Sequence, residues 1–373
     1  MEPVLLWVLI FFGTGALAWG NGSNDVSKGI ATLIGSGLAS PRRAVLWGAF
    51  WTLIGGLCSL VLAKELVTSF AAVWFPNGTP LAPTVVLCVI LGAASWIFLA
   101  TWRGYPVSTT HAIAGSLCAA GFWVSGSAIH WTLVNKAVLL PLLASPLLAF
   151  AAALFLLPLL RRCLTPWIHR CVCLHITQEC TPASVSPSGA ATQALTAFPI
   201  HAANGSASQC AALPAPFLKI GVDTLHWTSS AAVLFARGLN DGPKILAVAL
   251  LVSAMNHGQI PWVLLIALSS CMGLGSLWGG RKVTQVLSRK VTHLPELEGL
   301  GASLVTATLV LGASHVGLPV STTHVSTSAI ASVGLQRGAS AVSWEVLRGI
   351  TGAWLVTFPA SAAITACLLI CCH

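Results

Sequence analysis

The chain has 373 residues, of which 56% are hydrophobic and only 7% charged, with a mean hydropathy of +0.86. Soluble domains carry about 25% charged residues, so this composition excludes a water-soluble globular protein and indicates a chain that crosses a bilayer many times. The formal net charge of +9 is scattered between apolar runs without a basic stripe or block, which excludes a nucleic-acid surface and marks the Lys and Arg residues as topology signals.

In chain order, an apolar run from Val4 to Ala18 enters the polar stretch Trp19-Gly-Asn-Gly-Ser-Asn-Asp-Val-Ser-Lys28. The start is not expected to be a cleavable leader, since it lacks a basic region, carries Glu2 and runs straight into that stretch. Arg42 and Arg43 follow it, Arg103 ends the run from Leu81 to Ala100, and Arg161, Arg162 and Arg170 end the run from Ala137 to Leu160. Placing these basic residues inside predicts an outside N-terminus and five crossings, with Lys64 and Lys136 left on the outer face.

Residues 161–216, rich in Ser, Thr, Ala, Pro and Cys, are expected to be a cytoplasmic linker, partly disordered. Within it Cys171-Val-Cys173-Leu-His175 is a candidate soft-metal site with Cys163 and Cys180 nearby, although its spacing is not the usual C-x₂₋₄-C pair. Reduced thiols are the ordinary expectation for a cytosolic loop. From Lys219 onward, Arg281, Lys282, Arg289 and Lys290 fall inside after a second crossing and Arg337 after a fourth, and the segment from Arg348 to Leu369 ends outside.

The chain is duplicated. Trp19 to Lys28 aligns with Phe235-Ala-Arg-Gly-Leu-Asn-Asp-Gly-Pro-Lys244 at an offset of 216, and Tyr105-Pro-Val-Ser-Thr-Thr-His111 aligns with Leu318-Pro-Val-Ser-Thr-Thr-His324 at an offset of 213. Two motifs in the same order at nearly the same separation indicate repeats over residues 1–160 and 217–373. An odd number of crossings in each inserts the second upside down, the signature of secondary transporters with a shared central site. The expected fold is therefore an all-α multi-pass membrane protein of two inverted-topology repeats, with about 10–12 membrane elements, some of them broken or re-entrant.

Each repeat places an Asn-Asp pair in an apolar setting: Asn24-Asp25 and Asn240-Asp241. A carboxylate in the hydrocarbon costs at least about 2.5–3.5 kcal/mol, so a compensating partner is required. One possibility is a helix N-cap; another is a small hard cation held by carboxylate and amide oxygens together with carbonyls freed by an interruption at Gly20 and Gly22. Lys28 and Lys244, three residues beyond each Asp, can neutralise it on the same helix face or act as fixed cations.

The triplets Ser108-Thr109-Thr110 and Ser321-Thr322-Thr323 each follow Pro-Val and open a helix of small residues. Hydroxyls beside free N–H groups at a positive dipole end form an anion site, or else serve as N-caps and helix packing. His111 and His324 can carry protons, orient the hydroxyls, or simply pack.

Together with Val291-Thr-His-Leu-Pro-Glu-Leu-Glu-Gly-Leu300, these paired motifs resemble the inorganic phosphate transporter (PiT) family of secondary symporters. The resemblance spans both halves and excludes the linker. It implies inverted repeats of about twelve membrane elements, a cytoplasmic central loop, and phosphate bound with coupling cations near the centre. It further implies cation and substrate sites at Asn24, Asp25, Asn240 and Asp241, with phosphate oxygens held by Ser108, Thr109, Thr110, Ser321, Thr322 and Thr323. Family motifs often read Gly-Ala-Asn-Asp-Val-Ala-Asn, whereas this chain has Lys28 and Lys244 at the last position. An ammonium there disfavours a nearby sodium ion.

The expected activity is symport of phosphate with protons or sodium, not an enzymatic reaction, in the cell membrane. The nearest alternative is a permease for sulfate or another tetrahedral oxyanion; a remote one is an intramembrane enzyme using His111 or His324 as base. The expected partners are phosphate and the lipid bilayer, with a homodimer left open.

Overall fold

A computed structural model describes residues 3–75, 81–125, 131–168, 170–176, 179–180, 196–197, 200–206, 209, 216–252 and 262–372. The first half comprises α1 (Pro3–Gly35), α2 (Pro41–Leu62), the short α3 (Lys64–Ala72), α4 (Pro83–Arg103), α5 (Thr109–Ser125) and α6 (Trp131–Trp167). The second comprises α7 (Val222–Leu250), α8 (Trp262–Trp278), the short α9 (Arg281–Gln285), α10 (Glu296–His315), α11 (Thr322–Gln336) and α12 (Trp344–Cys372). Pro41 and Pro83 stand in the first turns of α2 and α4, where a missing N–H breaks no helix bond.

Helices α1, α2, α4, α6, α10 and α12 are long and apolar enough to cross a membrane. Helix α8 and the segment Arg281–Lys290 pass the same test only together and are bent by 65°, as a broken span or a re-entrant loop is. Helix α11, with 15 residues, rises only about 1.5 Å per residue and falls short of a hydrocarbon core about 30 Å thick; the described part of α5 has 17 residues. Burial separates centre from rim: 61% of the apolar windows of α4 and α10 is enclosed, against 28% for α6 and 22% for α12. The outer helices α6 and α12 turn Phe155 and Leu355 outward, and Trp278 at the end of α8 is exposed as well, as on lipid-facing surfaces.

The two halves interlock by reciprocal contacts. A Cβ on Gly22 of α1 would run into the Met272 carbonyl of α8, and one on Gly238 of α7 into the Thr52 carbonyl of α2. Gly275 of α8 sits on Trp19, and Gly55 of α2 sits on Phe235. Small residues allow this backbone approach, which dispersion and packing then stabilise in lipid. Helices α2 and α8 lie antiparallel, with Gly273 beside the Ala49 carbonyl and Gly56 beside Ser269.

The expected interruption at Gly20 and Gly22 is absent, because α1 is continuous from Pro3 to Gly35. Those glycines serve close packing instead, Gly20 against Ile97 and Phe98 of α4 and Gly22 against α8. The break occurs after α8, where Gly280 takes φ 82°, a conformation that glycine adopts without steric cost. Any Cβ there would also meet the Ser23 carbonyl.

Within the range expected to be linker, α6 continues to Trp167. Strands β1 (Arg170–Ile176), β4 (Ile200–Ser206) and β5 (Pro216–Ile220) form an antiparallel sheet in the order β4-β1-β5, beside the two-residue pair β2 (Glu179–Cys180) and β3 (Thr196–Ala197). Cys171 and Cys173 share one face of β1 and are almost fully buried; each is disulfide-bonded, but not to the other, their sulfurs being 3.7 Å apart. Neither offers the free thiolate that a metal needs, so the candidate metal site and the expectation of reduced thiols are both corrected for these two residues. The side chains of His175 and Cys180, and residues 181–195, lie outside the described residues.

The reciprocal glycine contacts predict that Gly22→Leu destabilises the protein by at least about 1–3 kcal/mol through overpacking. Gly312→Ala, where an added Cβ meets nothing within 4 Å, leaves stability unchanged or slightly raised. Thermal unfolding in detergent micelles checks both.

Candidate functional site

Each half builds the same turn. Helix α4 ends at Gly104 with φ 84°, where Gly104 N donates to Thr101 O (3.0 Å) and Tyr105 N to Ala100 O (2.9 Å). Helix α10 is followed by Gly317 with φ 70°, where Gly317 N donates to Ser314 O (3.2 Å) and Leu318 N to Ala313 O (2.9 Å). Pro-Val then leads to the cap of the next helix. Ser108 Oγ accepts from His111 N (3.2 Å), and Ser321 Oγ accepts from His324 N (3.2 Å). The two serines are therefore N-caps, and both helix starts carry the positive dipole end.

These starts face each other. Thr323 Oγ1 donates to Val107 O (2.8 Å), and Thr110 Oγ1 makes the longer reciprocal bond to Val320 O (3.4 Å). The rings of His111 and His324 lie 4.5 Å apart, and His324 also stacks on Trp354 at 4.0 Å. His111 Nδ1 contacts Ser108 Oγ at 2.8 Å, orienting that hydroxyl.

The Asn-Asp pairs lie against the same turns. Asn24 Nδ2 donates to Thr101 Oγ1 (2.9 Å) and Tyr105 O (3.0 Å), while its Oδ1 accepts from Val107 N (3.1 Å). Asn240 Nδ2 donates to Val320 O (3.0 Å), and its Oδ1 accepts from Ser314 Oγ (3.2 Å). Each amide thus clamps its own repeat's turn. Lys28 Nζ bonds Asp25 Oδ1, Asn24 Oδ1 (2.8 Å) and Asn24 O (3.1 Å). Lys244 Nζ instead reaches across to Thr110 Oγ1 and Val320 O, both at 2.8 Å, and lies 3.7 Å from Asp241 Oδ1.

The site is sealed. Asn24, Asp25, Lys28, Asn240, Asp241, Lys244, the two hydroxyl triplets and His324 are all buried, and His111 is partly so. Among the described residues the buried Asp, Glu, Lys and Arg side chains are Lys28, Lys244 and Arg237 against Asp25 and Asp241. In their usual charge states this set holds one positive charge in excess.

Two of the interior polar residues were not among the expected site residues. Asn21 Nδ2 faces both carboxylates and the first triplet, at 3.2 Å from Asp25 Oδ2, 3.1 Å from Asp241 Oδ2 and 3.0 Å from Thr109 Oγ1. Arg237, its equivalent at the repeat offset, donates to Asn21 O (3.3 Å), Thr52 Oγ1 (2.6 Å) and Ser276 Oγ (3.3 Å). Asn21 Oδ1, Arg237 Nε and His324 Nε2 are buried without a hydrogen-bond partner. The aligned motifs contained the signal: two polar side chains at equivalent positions in otherwise apolar helices.

A groove of about 800 Å³, lined by Arg42, Leu46, Leu277, Arg281, Ser288 and Arg289 among others, opens beside the break after α8. Its wall at Gly279 lies against Ser23, next to Asn24.

A profile described as the phosphate transporter family matches residues 21–365. A protein of Rhizobium meliloti described as a probable low-affinity inorganic phosphate transporter is 28% identical over 93% of this chain and 90% of its own. One of Bacillus subtilis with the same description is 25% identical over 97% of this chain and 96% of its own. Among solved structures, one described as the sodium-dependent phosphate transporter matches at a TM-score of 0.75 with 20% identity, covering 99% of both chains; this likeness bears on the fold.

Thr110 and Thr323 are not equivalent in energy. Thr323→Val removes one neutral bond and lowers stability by about 1 kcal/mol, whereas Thr110→Val takes an acceptor from a buried ammonium and costs about 1.5–3 kcal/mol. Thermal unfolding of both variants beside the parent tests the order.

Proposed function

The chain belongs to the phosphate transporter family, and on that premise we propose that it carries inorganic phosphate across the bilayer as a cation-coupled symporter working by alternating access. The observation that carries this reading is the convergence of two capped helix starts on two Asn-Asp pairs, in an interior with one surplus positive charge. Helix N-termini attract anions, and the hydroxyls of Ser108, Thr109, Thr110, Ser321, Thr322 and Thr323 are of the right chemistry for phosphate oxygens. Asp25 and Asp241 supply acceptors for a phosphate O–H, which sulfate lacks at neutral pH. Competition by sulfate in uptake distinguishes the oxyanions.

Several features support alternating access. The equivalent helices α2 and α8 run antiparallel, as inverted repeats require. The reciprocal α1–α8 and α7–α2 contacts provide two matched interfaces that can part in turn. A site closed to both faces is also what an intermediate between two openings would hold. Arg42, Arg281 and Arg289 share one groove, and Lys282 bonds the Trp102 carbonyl beside Arg103. That grouping of basic residues at one end favours a cytoplasmic placement for it, with the N- and C-termini on the outer face and the linker inside. The disulfides of Cys171 and Cys173 weigh against a cytosolic linker. Thiol labelling from each side, with and without reductant, decides the linker's placement.

Coupling follows from electrostatics. A dianion entering a cell that is negative inside faces about 4.6 kcal/mol per 100 mV, so accumulation needs companion cations. Fixed lysines neutralise the site but do not cross the membrane. Proton and sodium coupling differ in a direct test: uptake into proteoliposomes under an imposed pH gradient, against uptake under a sodium gradient alone. Failure of a pH gradient, a sodium gradient and a membrane potential alike to drive phosphate accumulation rules out coupling.

Counterflow with labelled phosphate tests the site. Asp25→Asn and Asp241→Asn are each expected to reduce it at least about tenfold, equivalent to 1.4 kcal/mol. Unchanged counterflow in both variants removes the carboxylates from the site.

A further inference from the structure

Lys28 and Lys244 occupy equivalent places in the two repeats but are used differently. Lys244 reaches out of its own helix to the opposing helix starts at Thr110 and Val320. Lys28 folds back, and its ammonium enters a nest of three oxygens from α1 alone: a carboxylate oxygen of Asp25, the amide oxygen of Asn24 and the Asn24 carbonyl. The three N–H groups meet three acceptors, so the head group is satisfied while buried.

Carboxylate, amide and carbonyl oxygens are also the donor set that binds hard metal cations. A free alkali-metal ion and the Lys28 head group therefore compete for one place. The carboxylate that would anchor such an ion is already paired, and a second positive charge within a few ångströms is strongly disfavoured in a low-dielectric interior.

We infer that Lys28 is a tethered cation: its ammonium fills the place that the oxygens of Asp25 and Asn24 would otherwise offer an alkali-metal ion, so that this chain carries phosphate without one. The inference rests on the symport reading above and deepens it. A tethered charge stays with the protein through every cycle. It offsets the Asp25 carboxylate without drawing on an ion gradient, so the coupling cation in this chain is the proton. Replacing Lys28 with a neutral amide frees the three oxygens and leaves a vacant, negatively charged nest open to sodium.

The experiment compares the wild type with Lys28→Asn and Lys28→Gln in proteoliposomes, measuring phosphate uptake under a fixed pH gradient in sodium, potassium or choline chloride at equal ionic strength. The wild type is expected to transport equally in all three. At least one variant is expected to become sodium-stimulated, with the phosphate concentration for half-maximal uptake falling about tenfold in sodium relative to choline. Thermal unfolding in the same salts reports binding independently of turnover: sodium raises the melting temperature of the variants, as a ligand specific for the folded state does, and leaves the wild type unmoved.

Sodium dependence of wild-type uptake or stability overturns the inference, including where neither variant folds. Folded variants that ignore sodium in both measurements also overturn it. A wild type that takes up no phosphate under any gradient instead defeats the symport reading itself, so the two failures are distinct.

Discussion

Five buried charges in a chain surrounded by hydrocarbon are the constraint on which the rest of the structure depends. An ionised side chain facing lipid is costly, so Asp25, Asp241, Lys28, Lys244 and Arg237 must find their partners inside the protein. They do so by drawing together α1, α7 and the starts of α5 and α11. Polar groups that would oppose insertion one by one become partners inside the protein, with Asn21 Oδ1, Arg237 Nε and His324 Nε2 left over. Removing any one partner leaves the others exposed to the same penalty.

Bringing the helices that close requires that little stand between their backbones. Gly22, Gly55, Gly238 and Gly275 meet that requirement at equivalent crossings of the two halves, and Gly104 and Gly317 make the turns that aim the hydroxyl triplets inward. The site therefore depends on residues without side chains as much as on those with them. Asn24 and Asn240 connect the two: each amide holds its own repeat's turn in place by hydrogen bonds to a carbonyl and a hydroxyl on α4 or α10 and the turn that follows.

The symmetry is incomplete where charge is concerned. The turns, caps and glycine contacts repeat closely, but Lys28 pairs within its helix while Lys244 spans to the opposite helix start, and Asn21 stands where the second repeat has Arg237. On the alternating-access reading proposed above, a carrier exposing one site to two faces needs matched scaffolds to interconvert. The side chains within the site are under no such requirement and are free to differ in what they bind.

Hydropathy, the repeat offset and the family motifs were legible from the residues alone: a multi-pass helical protein, its two halves, and the Asn-Asp and Ser-Thr-Thr clusters. These are local patterns of side-chain type and spacing, and they survive without knowledge of contacts. The continuity of α1 through Gly20 and Gly22 was not legible, because a glycine in a polar stretch fits an interruption as well as a close crossing, and only the approach of α8 and α4 distinguishes the two. Arg237 stood in the aligned motifs as a polar residue at the repeat offset, but its partners were not legible, since Thr52 and Ser276 come from helices distant in the chain. The sequence by itself determined which chemistry enters the membrane. Tertiary packing alone decided which of those groups face one another and which oxygens each lysine occupies, because these depend on helix crossings that residue spacing within one helix does not encode.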